Sequence, residues 1–146
     1  MNASLKKAPG PANYFPAPLQ TFSKEDDRER LSSVALKAYL NLAERWGLSN
    51  PESASLLGVS GSTWDRIKGG KRPTLNQDQL TRISAAVGIY KGLRLLFADD
   101  MSERWPSLEN TGPLFRKQTP IAVMIHGGIP KMLEVRQYID AVRGGI

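Results

Sequence analysis

Hydroxyl-bearing and basic side chains are concentrated in one short stretch of the sequence, from residue 60 to residue 72. Hydroxyl groups donate and accept hydrogen bonds, and guanidinium and ammonium groups are cations that pair with phosphate oxygens. Side chains of these kinds make many of the contacts between proteins and DNA. The sequence therefore predicts a DNA-contacting set that consists of Ser60, Ser62, Thr63, Arg66, Lys68, Lys71 and Arg72.

The members of this set differ in what they can recognise. Arg66 is the best candidate for reading a base, because a guanidinium can bind guanine through two parallel hydrogen bonds. The three hydroxyls could donate to bases or phosphates, while Lys68, Lys71 and Arg72 suit phosphate contacts. Asp65 is unfavourable near phosphate, and it either holds Arg66 or accepts a hydrogen bond from cytosine. The alternative is a solvated basic turn on a helical protein with another function.

One segment of the chain, which includes most of this set, accounts for the whole net charge of +6. The 146 residues contain 20 Lys and Arg against 14 Asp and Glu. Seven of the basic residues and one of the acidic residues lie between Arg66 and Arg94, so this segment accounts for the whole surplus. A basic surplus favours a polyanionic partner, and its confinement argues against a protein that binds every polyanion.

Several kinds of site are excluded by the composition. The chain has no cysteine and one histidine, His126, so it has no disulfide, no cysteine-ligated zinc, no iron–sulfur cluster and no multi-histidine metal site. His126 precedes a glycine and has no second histidine to support catalysis, so we expect it to cap a helix or lie on the surface. We predict no catalytic residue, no metal ion and no cofactor, and therefore no enzyme.

The sequence also lacks the signals of a membrane or exported protein. Its longest apolar run has five residues, 121–125, and its first ten residues contain no apolar signal-peptide core. We therefore expect a cytoplasmic location and no membrane partner.

Helix caps and apolar periodicity predict an all-α fold that positions the basic set. Ser23 is expected to open a first helix with a capping box, and Gly47 to end it. The apolar stripe of this helix is expected to be Leu31, Ala35, Ala38 and Leu42, widened by Val34, Tyr39 and Trp46.

The following helices are short in this prediction. One helix is expected to begin with Asn50 as its N-cap and Pro51 at its first position, and to end at Gly58. Ser60 is expected to cap the next helix, which runs to Gly69-Gly70. A capping box over 74–77 opens a further helix that Gly88 ends, and another helical piece covers 89–98.

The C-terminal part is predicted to contain two more helices. Thr119-Pro120 opens a short helix that ends at Gly127-Gly128, and Pro130 opens a last helix that ends at Gly144-Gly145. No segment alternates apolar and polar residues as a strand does.

Residues 49–70 have the spacing of a helix-turn-helix. This motif needs a small residue in its first helix, a glycine at the turn and apolar anchors on the inner face of its second helix. The sequence meets these needs with Ala54, Gly58, Val59, Trp64 and Ile67. The stretch resembles the lambda-repressor-like, Xre-type domains, and the flanking helices match their five-helix form. The resemblance implies a second helix that enters the major groove of operator DNA, and two-fold operator sites imply a homodimer.

The C-terminal part resembles the toxin-binding domain of the MbcA/ParS/Xre antitoxin family. The run that carries the resemblance is Phe115, Thr119-Pro120, Gly127-Gly128, Tyr138 and Gly144. The resemblance implies an antitoxin of a type II toxin–antitoxin system. Such a protein would bind and inhibit a RES-domain toxin that consumes NAD, and would repress its own operon by binding DNA within a larger toxin–antitoxin complex.

A toxin-binding set is expected on this part of the chain. Its aromatic members are either interface anchors or core residues, and its two arginines, seven positions apart, share a helix face that is either solvated or in contact with a partner. The last residues carry a cation and a carboxylate, which either enter the NAD site of the toxin or form a frayed end. The set is Phe115, Arg136, Tyr138, Arg143, Gly144, Gly145 and Ile146.

Three segments follow from these patterns. Residues 1–22, rich in proline and free of acidic residues, are expected to form a flexible arm; residues 23–98 form the helix-turn-helix domain and residues 99–146 the small toxin-binding domain. The alternative function is a stand-alone Xre-type transcriptional repressor, in which the C-terminal unit serves dimerisation or ligand sensing.

Overall fold

The structure, a computed structural model, describes residues 25–144, and within them the chain forms helices and no strand. The predicted all-α class is confirmed. The elements are α1 (Glu25–Arg45), α2 (Asn50–Leu57), α3 (Gly61–Lys68), α4 (Gln77–Leu96), α5 (Met101–Arg104), a 3-10 turn (Trp105–Ser107) and α6 (Pro120–Gly144). The N-terminal arm, the cap at Ser23, and Gly145 and Ile146 lie outside the described residues.

Helix α1 buries a face that is rotated from the predicted stripe. Leu36 and Tyr39 are fully buried, whereas Ala38 is exposed and Val34 is 68% exposed. The prediction for Val34 and Ala38 was wrong, because apolar residues occur on both sides of this helix and periodicity alone does not choose between neighbouring registers. The Tyr39 hydroxyl donates to the backbone oxygen of Ser53 at 2.7 Å, and burial raises the pKa of this phenol, so it stays a neutral donor that ties α1 to α2.

Helices α2 and α3 begin at hydroxyl caps. The N-cap of α2 is Ser49, which forms a capping box with Glu52, and the expected cap at Asn50 was wrong by one residue. Gly58 ends α2 with φ of 81°, and Ser60 caps α3, both as predicted. The left-handed backbone at Gly58 makes the sharp turn between the two helices.

Helix α4 is one continuous helix, and two predictions about it were wrong. Its capping box joins Asn76 and Gln79, not the residues at 74 and 77. The helix does not stop at Gly88, because α6 packs there: a Cβ at Gly88 would lie 2.5 Å from the Arg136 guanidinium carbon. A glycine inside a helix costs only about 1 kcal/mol relative to alanine, so the close packing of α6 offsets it.

Helix α6 is broken where the sequence predicts. Gly128 has φ of 69° and ψ of −155°, which are not helical values, and they separate two helical segments. The Thr119 hydroxyl caps the first segment by accepting from the backbone nitrogen of Ala122 at 3.1 Å. Both segments contribute buried residues to the same core, among them Met124, Met132 and Ile139.

The two predicted domains share one hydrophobic core. Residues buried in α1 to α4 are continuous with Phe115 and the inner face of α6, so the C-terminal unit packs against the helix-turn-helix part. Arg45 at the end of α1 also pairs with Glu103 of α5 at 3.3 Å. The boundary at residue 98/99 remains a prediction.

No helix among residues 25–144 has the length and apolarity needed to cross a membrane.

Candidate functional site

Helix α3 presents one buried face and one exposed face. Trp64 and Ile67 are buried, and they hold the helix against Ala54 of α2 and the rest of the core, as the spacing predicted. Trp64 packs edge-on against Tyr39, with ring centroids 5.6 Å apart. The side chains of Ser62, Asp65, Arg66 and Lys68 are exposed. Core packing therefore turns the predicted reading face of α3 outwards.

The hydroxyls at the start of α3 are engaged with one another. The Ser60 hydroxyl accepts from the backbone nitrogen of Thr63 at 3.1 Å and donates to the Thr63 hydroxyl at 3.0 Å, and it lies 3.2 Å from the hydroxyl of Ser62. The Arg66 guanidinium donates to the Thr63 hydroxyl at 3.2 Å. This chain of bonds places the Arg66 guanidinium towards the leading end of α3, while leaving most of its donors available.

Asn50 is a residue of this site that the sequence interpretation missed. Its side-chain oxygen accepts from the indole nitrogen of Trp64 at 3.1 Å and from the ammonium of Lys68 at 3.0 Å. Asn50 therefore fixes both a core anchor and an exposed cation of α3. The sequence contains a signal for this arrangement: Ser49 and Glu52 have the spacing of a capping box, which identifies Ser49 and not Asn50 as the N-cap of α2.

The basic residues after α3 divide into a structural one and an exposed one. The Arg72 guanidinium donates to the backbone oxygens of Ile67 at 3.0 Å and Lys71 at 2.8 Å, so it satisfies carbonyls at the end of α3. The side chain of Lys71 is exposed. In this conformation Lys71 is the better placed of the two for a phosphate.

The remaining basic residues of the segment have other roles. Arg82 lies along Gly58 and donates to the backbone oxygen of Leu56 at 3.4 Å, so it supports the turn of the motif from α4. The Arg94 guanidinium lies over the Tyr90 ring, 5.9 Å from its centroid. The charge surplus is thus distributed over several surfaces.

The predicted toxin-binding residues are not all on the surface. Phe115 is fully buried, and it packs edge-on against Trp105 and Tyr138, with centroids 5.6 Å and 5.4 Å away. Arg136 points at α4 and donates to the backbone oxygen of Ser84 at 3.3 Å. Phe115 is therefore a core residue, which is one of the two alternatives that the sequence left open. Arg136 does not share an exposed face with Arg143, because Arg136 lies where α6 docks on α4.

Among the members of the predicted toxin-binding set that the structure describes, Tyr138, Arg143 and Gly144 are exposed. Tyr138 is 36% exposed and stacks on Trp105, with centroids 6.4 Å apart. Arg143 pairs with Asp140 at 3.3 Å, and Gly144 is the last described residue. These three remain candidates for a contact with a partner.

His126 is exposed, as expected for a surface histidine.

Replacing Arg66 by alanine should weaken specific DNA binding by about 1–3 kcal/mol and relax the preference at one base position, because a two-bond base contact is lost. Lys71→Ala is the matched control: it removes one cation next to the same helix, and should weaken all sequences alike and reduce the salt dependence by about one phosphate contact. Gel shifts with specific and random duplexes over a salt series measure both. Equal losses on both duplexes for Arg66→Ala would contradict base reading.

The described residues hold no metal-binding constellation. Within 25–144 there is no group of three or more His, Asp or Glu side chains that could hold a metal ion.

Comparison with known proteins agrees with this geometry. Residues 21–88 match the family described as "Antitoxin Xre-like helix-turn-helix domain". A protein of Sinorhizobium fredii (strain NBRC 101917 / NGR234), "Uncharacterized protein y4oB", is 31% identical over 133 residues, which cover 88% of this chain and 98% of that protein. The similarity to y4oB therefore extends beyond the helix-turn-helix into the C-terminal helices. The chain belongs to one family with y4oB, and its residues 21–88 match the Xre-like antitoxin helix-turn-helix family.

Proposed function

We propose that the chain is the antitoxin of a type II toxin–antitoxin system, which binds and inhibits a RES-domain toxin that consumes NAD and represses its own operon. The observation that carries this proposal is α3, whose exposed face bears Arg66 and Lys68 within a helix-turn-helix domain of the antitoxin type. The RES-domain partner comes from the resemblance of the C-terminal part. The protein acts as a regulator and not as an enzyme, and because its partner is operator DNA we place it in the cytoplasm.

The DNA-binding half of the proposal uses the exposed face of α3. The N-terminal part of α3 enters the major groove, where Arg66 reaches base edges and the hydroxyls of Ser60 and Ser62 reach bases or phosphates. Lys68 and Lys71 neutralise phosphates at the other end of the helix. A homodimer places two such helices on the two halves of a palindromic operator.

The toxin-binding half of the proposal uses the C-terminal part. Residues 99–144 contain six basic and six acidic residues, so they lack the charge surplus of a second DNA surface. Helix α6 exposes large apolar side chains, and apolar groups that remain exposed on a folded chain suit a protein partner. These side chains are Leu133, Tyr138 and Val142.

Co-expression with a RES-domain toxin from the same operon should yield a stable complex and block NAD loss. The measurement is co-purification followed by an NAD-consumption assay, with a chain that lacks residues 143–146 as the second variant. If the tail enters the NAD site, the truncated chain still binds the toxin but inhibits less.

Two outcomes of this experiment separate the alternatives. Full inhibition by the truncated chain at unchanged affinity rules out entry of the tail and leaves the antitoxin function intact. Failure of the full chain to bind the toxin, together with sequence-specific DNA binding by a dimer, favours the stand-alone repressor.

A further inference from the structure

A groove of about 670 Å³ lies between the first segment of α6 and the loop that precedes it. The exposed Pro113 and the half-buried Leu114 give it accessible apolar lining, and the buried Phe115 and Val123 lie beneath. Arg116, His126 and Lys131 also line it, and no acidic side chain does so within residues 25–144. The groove therefore combines apolar surface with cationic and hydrogen-bonding groups, on a part of the chain (99–144) that has equal numbers of basic and acidic residues.

The loop that forms one side of the groove is held in a defined conformation. Its ends are joined by hydrogen bonds from the Asn110 nitrogen to the Gln118 oxygen at 3.1 Å and from the Lys117 nitrogen to the Asn110 oxygen at 2.8 Å. The buried ring of Phe115 anchors the loop to the core. The loop is thus preformed, which lowers the entropy cost of binding to it.

Two successive residues of this loop have left-handed backbones. The φ values are 52° at Arg116 and 69° at Lys117, where glycine is the residue that fits without steric cost. Backbone strain that persists in a folded protein is concentrated at functional sites. At Arg116 this conformation accompanies a side chain that lines the groove, whereas Lys117 is not among the lining residues.

Arg116 is the cation of the groove with most capacity for a partner. Lys131 already pairs with Glu134 at 2.8 Å, and its aliphatic stem packs over Gly127. The Arg116 side chain is exposed, and within the described part of the chain it makes no ion pair or side-chain hydrogen bond. A guanidinium in this state offers two parallel donors to a carboxylate.

We propose that this groove binds an acidic segment of the partner toxin, with a carboxylate on Arg116 and an apolar side chain on Pro113 and Leu114. Interfaces are electrostatically complementary, and arginine is enriched among interface anchors. The groove is open to solvent and not enclosed, which suits a protein segment better than a small molecule. A nucleic acid would leave the apolar lining unused. The inference rests on the proposed function, since the occupant belongs to the toxin.

The test compares Arg116→Gly with Lys117→Gly in the full-length chain. Both variants remove one positive charge and both relieve a left-handed residue, so neither should lower the melting temperature. Titration calorimetry with a purified, catalytically inactive RES-domain toxin should show Arg116→Gly weakening the complex about tenfold or more, which is about 1.4 kcal/mol. Lys117→Gly should change the affinity less than about threefold. Arg116→Lys should recover part of the loss, because it restores the charge but not the two-bond geometry.

The other outcomes each overturn the inference in a different way. Equal losses for the two glycine variants point to charge or loop shape and not to the groove. No loss in either variant removes the groove from the interface and leaves the antitoxin function standing. A loss of DNA affinity in Arg116→Gly with unchanged toxin affinity makes the groove a nucleic-acid surface. Failure of the unmodified chain to bind the toxin defeats both this inference and the proposed function.

Discussion

Replacing Trp64 by alanine is expected to lower the free energy of unfolding by about 3–5 kcal/mol. The indole is 2% exposed, packs edge-on against Tyr39, and donates to the side-chain oxygen of Asn50 at 3.1 Å. The substitution removes all of these contacts and leaves a cavity under α3. Urea unfolding followed by circular dichroism measures the change. Because α3 loses its main anchor, DNA affinity should fall as well.

A comparison of two buried tryptophans, Trp64 and Trp46, separates the contribution of packing to stability from the contribution of the indole hydrogen bond. Trp46 is also buried, but within the described residues its indole nitrogen has no hydrogen-bond partner. Trp64→Phe should therefore cost more than Trp46→Phe by about 1 kcal/mol, the net contribution of one hydrogen bond. Equal costs for the two phenylalanine variants would show that the Asn50 bond does not stabilise α3.

Phe115→Ala is expected to have an effect of similar size, about 3–5 kcal/mol, in the C-terminal part of the chain. The ring is fully buried between Trp105 and Tyr138, at centroid distances of 5.6 Å and 5.4 Å. Since Phe115 belongs to the same core as the helix-turn-helix, the variant should unfold in one transition at lower urea concentration, with tryptophan fluorescence and circular dichroism changing together.

Tyr138→Ala is the control for this variant. Tyr138 is 36% exposed, so its removal should destabilise the chain less than removal of Phe115. If Tyr138 contacts the toxin, this variant should weaken the complex while the chain remains folded. Two separate transitions in Phe115→Ala would instead mean that residues 23–98 and 99–146 unfold as independent domains.

The helix-turn-helix was predictable because its signals are local. Gly58 at the turn and Ser60 at the cap act through backbone conformation and hydrogen bonds within a few residues. Trp64 and Ile67 lie three positions apart and so share one face of a helix, which fixes where Arg66 points. The break at Gly128 was predictable for the same reason.

The predictions that failed depended on contacts between distant parts of the chain. Gly88 was expected to end a helix, but Arg136 packs on it from 48 positions away in sequence and the helix continues. Val34 belongs to an apolar pattern and yet is exposed, because the core lies on the neighbouring face of α1. Buried Ser32 was not suspected, although its hydroxyl accepts from the Leu75 nitrogen at 2.8 Å and ties α1 to the segment before α4.

The sequence by itself determined the all-α class, the helix-turn-helix and the outward direction of Arg66, because caps, turns and helical periodicity act over a few residues. Only the tertiary structure decided which C-terminal residues are available to a partner. It buried Phe115, turned Arg136 onto α4 and placed Arg116 beside a groove with apolar lining. Those outcomes depend on how α6 docks against α4, a choice made by packing between residues far apart in sequence, which local patterns do not encode.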